Sequence, residues 1–299
     1  MSHIRHLKPQ SSVEPELTIT LADAALWRRY LDVWHGARRP FLQRAMFLKP
    51  QPNDSQFSSA STAPARGPEN LAMLFERQCE AHPEALAYCF LADPSQPSKT
   101  LSYGQLRQEA RRIAAWLADQ TQVGDRVLLA FAPGLDFACA FWACLLAGRV
   151  AVPVPAPDRV RLHRSGPRLR SLIADSRATL VLTSATMLDG AVAVLDPELF
   201  AMTRWTALPE PAAPAVSATG FVPPAIDAGS VAYLQYTSGS TSSPRGVKLS
   251  HANVIANARA WIDVSTAGPG SRILCWLPHF HDYGLVLGVL SPLLAGASS

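Results

Sequence analysis

Val127–Val154 reads VLLAFAPGLDFACAFWACLLAGRVAVPV, and this stretch decides the fold class. It opens with an unbroken apolar run, Val127–Ala132, as a strand covered on both faces requires. Pro133 and Gly134 then break the run, and Leu135–Ala147 resumes with Phe137, Phe141 and Leu145 at helical spacing. Gly148 and Arg149 lead into a second apolar run, Val150–Val154. Strand, helix and strand in this order form a right-handed crossover, so the two strands are expected to be parallel. Pro133, Gly134 and Asp136 argue against reading the segment as a membrane span. The pattern recurs with a helix over Arg168–Asp175 and a strand over Thr179–Thr183. Such alternation implies a doubly wound α/β sheet.

Working outward, Asn70–Ala81 is an amphipathic helix with Leu71, Leu74 and Phe75 on one face, ended by Pro83, and Ala85–Leu91 is a strand. Ser102 and Gln105 have capping-box spacing, and the helix they open carries Leu106, Ala110, Ile113 and Leu117 on its inner side. Gly124 and Asp125 turn the chain into the strand at Arg126. Toward the C-terminus, Ala207–Ser230 carries five prolines and reads as a connector. Strand Val231–Tyr236, polar loop Thr237–Gly246 and strand Val247–Leu249 follow. Ser250 is placed to cap a helix over His251–Ile262 with Val254, Ala258 and Trp261 inward. Arg272–Leu277 reads as a further strand, and an apolar helix begins at Gly284 and runs to Gly296.

Of the 299 residues 48% are hydrophobic and only 17% charged, enough apolar material for a large core under a thin polar coat. A net charge of +4 is too small for a dedicated nucleic-acid binder. The five cysteines form no Cys-x-x-Cys pair and mostly sit in apolar runs, as in a reduced, cytoplasmic protein. Composition thus excludes a disulfide scaffold, a collagen, a coiled coil and a polytopic membrane protein. Residues 1–68 differ from the rest: a helix is expected over Leu21–Leu48, with Trp27, Trp34 and several arginines, and a Ser/Pro/Ala linker over Gln51–Pro68. This extension is either a partly ordered appendage or a docking helix for a partner.

The chemistry concentrates in YTSGSTSSPRG, Tyr236–Gly246, where six hydroxyl residues and two glycines directly follow a buried strand. The carboxyl end of a strand is where open α/β sheets bind ligands. Hydroxyls and backbone amides there can donate to phosphate oxygens, and Arg245 adds charge. The loop is not a Walker A sequence, since Gly246 is followed by Val247, nor a nucleophile elbow. A polar surface loop is the plain alternative. In HFHD, His279–Asp282, the residue types suit metal ligands, but no third ligand cluster accompanies them, and no metal site is assigned. His281 could equally cap the helix that starts near Asp282. Arg159, Arg161, Arg164, Arg168 and Arg170 read as solvated helix residues, or as a contact for an acidic partner or a phosphate group. Phe137, Phe141 and Trp142, at helical spacing, read as core rather than as the lining of an apolar channel.

Four segments, in order, resemble the adenylate-forming, AMP-binding enzymes, and among these most of all the fatty acyl-AMP ligases. Val127–Phe137 resembles their first strand and helix, and Ala147–Pro157 their next strand and proline turn. Leu234–Val247 with Leu249–Asn253 resembles their signature loop, and Trp276–Leu285 their Leu-Pro-x-x-His-Asp-Met-Gly-Leu segment. The resemblance runs from about Asn70 to Gly296. It implies that residues 69–299 are the first part of an AMP-binding domain of stacked parallel sheets with helices, the C-terminal domain being absent. It implies a two-step ligase: a fatty acid attacks the α-phosphorus of ATP, and the acyl group then passes from the adenylate to the thiol of an acyl carrier protein. Thr237, Ser238, Gly239, Ser240, Thr241, Arg245 and Gly246 would bind ATP with Mg2+, and His281 would be the catalytic residue beside the adenylate. Arg245 stands where the family usually has lysine, and Ser242-Ser243 where it often has Gly-x.

Two rivals remain at this level. One is an acyl-CoA synthetase or an amino-acid adenylation domain. The other is a non-catalytic fragment or interaction module, because the family's later aromatic-Thr-Glu motif, ribose-binding aspartate and C-terminal lysine all lie beyond Ser299. The chain alone is therefore expected to make no acyl-adenylate and to expose apolar surface.

Overall fold

The computed structural model describes residues 69–92, 98–157, 162–192, 195–210, 220–237 and 245–299. The helix expected over Leu21–Leu48 and the linker after it lie outside the described residues. The elements, in order, are α1 (Leu71–Ala81), β1 (Leu86–Phe90), β2 (Lys99–Ser102), α2 (Tyr103–Gln120), β3 (Arg126–Leu129), α3 (Leu135–Leu146) and β4 (Val150–Pro153). They continue as α4 (Leu162–Ser176), β5 (Leu180–Thr183), α5 (Ala185–Val192), α6 (Pro197–Met202), β6 (Arg204–Ala207), β7 (Val231–Thr237) and β8 (Arg245–Ser250). The last are α7 (His251–Ser265), α8 (Asp282–Leu285), a π-helical turn over Val286–Leu290 and α9 (Ser291–Ala295).

The main sheet has the order β6-β5-β3-β4-β7-β8. Its first five strands are parallel, as the crossover at Val127–Val154 requires. β8 instead folds back antiparallel on β7, so the sheet is mixed. Side chains alternate between two cores: Val127, Leu129, Ala151 and Leu182 join the core with α1, α2 and α3, while Leu128, Val152 and Val181 join the core with α4 and α6. α3 is apolar almost all round because it is enclosed on all sides, every residue from Phe137 to Leu146 being buried. Its Trp142 stacks on Phe75 at 4.8 Å and donates to the Tyr88 hydroxyl at 3.1 Å, which donates to the Val289 carbonyl at 2.7 Å. The polar atoms of these buried rings are thereby satisfied, and the area they bury counts in full toward stability.

The caps at Ser102 and Ser250 appear as expected, and Asn70 adds a third. Asn70 accepts from the Met73 amide at 2.9 Å, and capping boxes form at Ser102/Gln105 and at Ser250/Asn253. Arg149 is buried, and no ion pair holds it among the described residues. It donates from Nε to Thr121 Oγ1 at 2.9 Å, and its guanidinium also reaches the carbonyls of Leu117 and Thr121, at the negative end of α2, and that of Ala147 at the end of α3.

Other details differ from the sequence reading. α4 starts six residues before Arg168 and runs through Pro167. β2, α5, α6 and β6 are additional elements, too short or too weakly patterned to stand out. No strand forms over Arg272–Leu277: only Arg272 bridges, to Ser298, while Leu274 and Trp276 are 60% and 64% exposed. Apolarity alone does not make a strand where the neighbouring ladder is one residue long. Trp261 is half-buried, since the buried face of α7 ends at Ala258.

Beside the main sheet, β1 and β2 pair antiparallel. On the free side of β1, the Ser299 amide donates to the Ala87 carbonyl at 3.0 Å and the Cys89 amide donates to the Ser299 carbonyl. The Tyr103 hydroxyl donates to the Ala297 carbonyl at 2.7 Å.

Candidate functional site

The site forms where the carboxyl ends of β3 and β7 meet the turn before α8. β7 ends at Thr237 and β8 opens with Arg245 directly opposite, so Arg245 and Gly246, expected in the loop, belong to the strand. Ser238, Gly239, Ser240 and Thr241 lie outside the described residues. The last two residues before Thr237 anchor the strand to both layers. On one face the Tyr236 hydroxyl donates to Asp175 Oδ2 of α4 at 2.5 Å. Burial, with that carboxylate beside it, raises the Tyr236 phenol above its usual range, so it remains a donor. The Tyr236 ring lies across Gly246, where a Cβ would come within 2.9 Å of Cζ. Glycine is needed there because the aromatic ring occupies the space. On the other face, Gln235 Nε2 donates to the Phe280 carbonyl at 2.9 Å.

The turn Pro278–His281 closes by the His281 amide donating to the Pro278 carbonyl at 2.9 Å. α8 returns close over this turn: a Cβ on Gly284 would lie 2.2 Å from the Pro278 oxygen. His281 stands at the N-cap position, as the capping alternative expected. Its Nδ1 lies 3.4 Å from the Tyr283 amide, but Asp282 Oδ1 accepts that amide at 2.7 Å and lies 2.6 Å from Nδ1. The shorter pair is the better assignment. Nδ1–H then donates to the carboxylate, which orients the ring, and the side chain is 61% exposed.

His279 is different in kind. Its ring lies 4.0 Å from that of Phe137, and burial pushes it down to about 4 against a hydrogen bond to the Phe131 backbone. It is therefore a neutral, packed imidazole. Among the described residues no three His, Cys, Asp or Glu side chains gather as a metal-ligand set. Phe137, Phe141 and Trp142 are buried in the core, with Phe141 edge-on to Tyr233 at 5.8 Å. In the arginine run, Arg170 is held by Asp196 at 2.7 Å and Glu198 at 3.1 Å, so its charge ties α4 to α6. Arg168 is exposed, and the side chains of Arg159, Arg161 and Arg164 lie outside the described residues.

Gln235 and Tyr236, which hold the strand rather than face a ligand, carry no motif that singles them out in the sequence. A signal existed for the first, since a glutamine in the otherwise apolar run VAYLQY has to find a hydrogen-bond partner inside the fold.

This frame, with a hydroxyl-rich loop leaving the carboxyl end of a parallel strand and a His-Asp turn beside it, is that of the N-terminal domain of an adenylate-forming enzyme. The profile described as "AMP-binding enzyme" matches residues 75–299, and the chain belongs to that family. It is 38% identical over 213 residues to the medium-chain-fatty-acid–[acyl-carrier-protein] ligase JamA of Moorena producens, covering 70% of this chain and 36% of that protein. It is 32% identical over 234 residues to the long-chain-fatty-acid–AMP ligase FadD23 of Mycobacterium tuberculosis, covering 75% and 39%. The crystal structure of a fatty acyl-adenylate ligase from L. pneumophila, in complex with acyl adenylate and pyrophosphate, superposes with a TM-score of 0.67 at 31% identity, covering 77% of this chain and 39% of that one. The chain thus spans little more than a third of the length of these relatives. Among the described residues no helix is long and apolar enough to cross a membrane.

Proposed function

We propose that this chain supplies the phosphate-binding and acid-facing part of a fatty acyl-AMP ligase. The observation that supports it most is the hydrogen bond from Gln235 to Phe280. It brings the strand leading into the hydroxyl loop beside the turn that carries His281. In this reading Thr237, Ser238, Gly239, Ser240 and Thr241 cradle the β- and γ-phosphates of ATP, with Mg2+ entering on the nucleotide. Arg245, exposed at the root of β8, adds positive charge where pyrophosphate develops. Gly246 leaves room for the Tyr236 ring that stiffens the loop's first strand.

His281, with Nδ1 held by Asp282, presents Nε2 toward the carboxylate or the adenylate. The fatty-acid carboxylate oxygen attacks the α-phosphorus, the bond to pyrophosphate breaks, and pyrophosphate leaves with its charge held by the loop. Such in-line displacement depends on positioning and charge neutralisation rather than on a covalent enzyme intermediate. The acyl group then passes to a thiol, with AMP as the leaving group, and the name of JamA favours an acyl carrier protein as the acceptor. The five free cysteines suit a cytoplasmic setting.

The 299-residue chain by itself is expected to catalyse no fatty-acid-dependent exchange of pyrophosphate into ATP. Exchange above the acid-free background would refute that. Joined to the residues that complete its relatives, it is expected to restore exchange with medium or long fatty acids and to discharge the acyl group to a carrier protein. Discharge to coenzyme A instead would favour an acyl-CoA synthetase.

A further inference from the structure

One buried polar side chain near the loop has no use in the reaction just described. Gln235 is 4% exposed, between the apolar Leu234 and Tyr236 of β7. Its Nε2 makes the 2.9 Å bond to Phe280, 45 residues away, while Oε1 is enclosed and has no partner among the described residues. Burying half of a carboxamide unsatisfied is costly, and an apolar side chain of the same size would avoid that. What the amide holds gives it a use. The Phe280 carbonyl belongs to the peptide that leads directly into His281, and the His281 carbonyl accepts from the Leu285 amide at 2.9 Å to start α8. On the opposite face the Tyr236 bond leads to Asp175 in α4, away from the His281 turn. The end of β7 is therefore gripped on both sides, and one grip leads to His281.

We propose that Gln235 is a positioning residue that couples the 237–246 loop to the His281 turn, so that occupancy of the loop by nucleotide is felt at the imidazole. The inference rests on reading that loop as the nucleotide site. A displacement of β7 at Thr237 moves Gln235, two residues earlier, and the carboxamide transmits it to the Phe280 peptide. Held through the one bond seen among the described residues, the carboxamide follows the strand as it moves.

The test uses the full chain with labelled histidines, MgATP as the probe, and three variants. Gln235→Met keeps volume and removes the donor. Gln235→Leu does the same with a different shape, should methionine fold poorly. Tyr236→Phe removes the grip on the other face. Amide exchange over 278–283 is expected to rise at least tenfold in Q235M or Q235L and to stay within twofold in Y236F. MgATP is expected to shift the His281 ring signals in wild type and Y236F. In the Gln235 variants the shift is lost although they bind ATP within about threefold of wild type, a separation that a merely structural role would not produce. Unchanged exchange in the Gln235 variants overturns the proposal. So does ATP binding to wild type with no response at His281, in which case the nucleotide reading itself survives. Failure of the wild-type chain to bind ATP overturns both.

Discussion

Gly284 shows how much one hydrogen atom in place of a methyl can decide. With the Pro278 oxygen 2.2 Å from where its Cβ would be, Gly284→Ala forces α8 and the His281 turn apart. Overpacking of this kind costs about 1–3 kcal/mol. The variant is expected to melt several degrees lower and to show altered His281 ring signals; an unchanged melt would mean the turn yields freely. His251 is the second residue-scale case. It is 2% exposed, its Nδ1 accepts from the Leu71 amide at 3.2 Å, and burial lowers it from 6.5 to about 4. Between those values the unfolded chain takes up a proton that the folded chain refuses, so stability falls as pH drops from 6.5 toward 4 and is flat in this respect above and below. The whole window is worth about 3 kcal/mol. Urea titrations at pH 7, 5.5 and 4.5 are expected to show this decline, and His251→Gln, which keeps an acceptor but does not titrate, should remove about half of it, because the buried His279, lowered in the same way, adds its own share over the same window.

At the scale of elements, the buried guanidinium of Arg149 closes the end of α2 and is the donor seen for the Thr121 and Ala147 carbonyls among the described residues. Arg149→Met is expected to cost about 2–4 kcal/mol by denaturant unfolding, since the carbonyls would stay buried without a donor. α1, α2, α3 and α7 were legible in the sequence because caps and 3.6-residue spacing are local: Ser102 with Gln105, or Leu106 with Ala110 and Ile113, carry their own evidence. What failed was non-local. β2 and β6 exist only through their ladders, β8 begins at Arg245 because Thr237 pairs with it, and Arg272–Leu277 has the composition of a strand without the partner. The site divides in the same way. Arg245, Gly246 and His281 could be singled out by their order along the chain, whereas the reach of Gln235 to Phe280 depends on two segments meeting in space.

For the molecule as a whole, the thin polar coat inferred from composition has a counterpart in the exposed Leu274 and Trp276 and the 36%-exposed Leu277. Binding of the dye ANS under native conditions is expected and should fall when Leu274 and Leu277 are changed to polar residues; no binding would show the patch to be too small to matter. The bonds of Ala297 and Ser299 set a different requirement. The Tyr103 hydroxyl reaches Ala297 across 194 residues and the Tyr88 hydroxyl reaches Val289 across 201. At 5–20 residues per second, a ribosome needs about 10–40 s to make the second of those partners after the first. Through that interval both phenols and the free side of β1 are exposed in the cell without their acceptors, so the N-terminal layer is the part of this protein a chaperone has most time to meet.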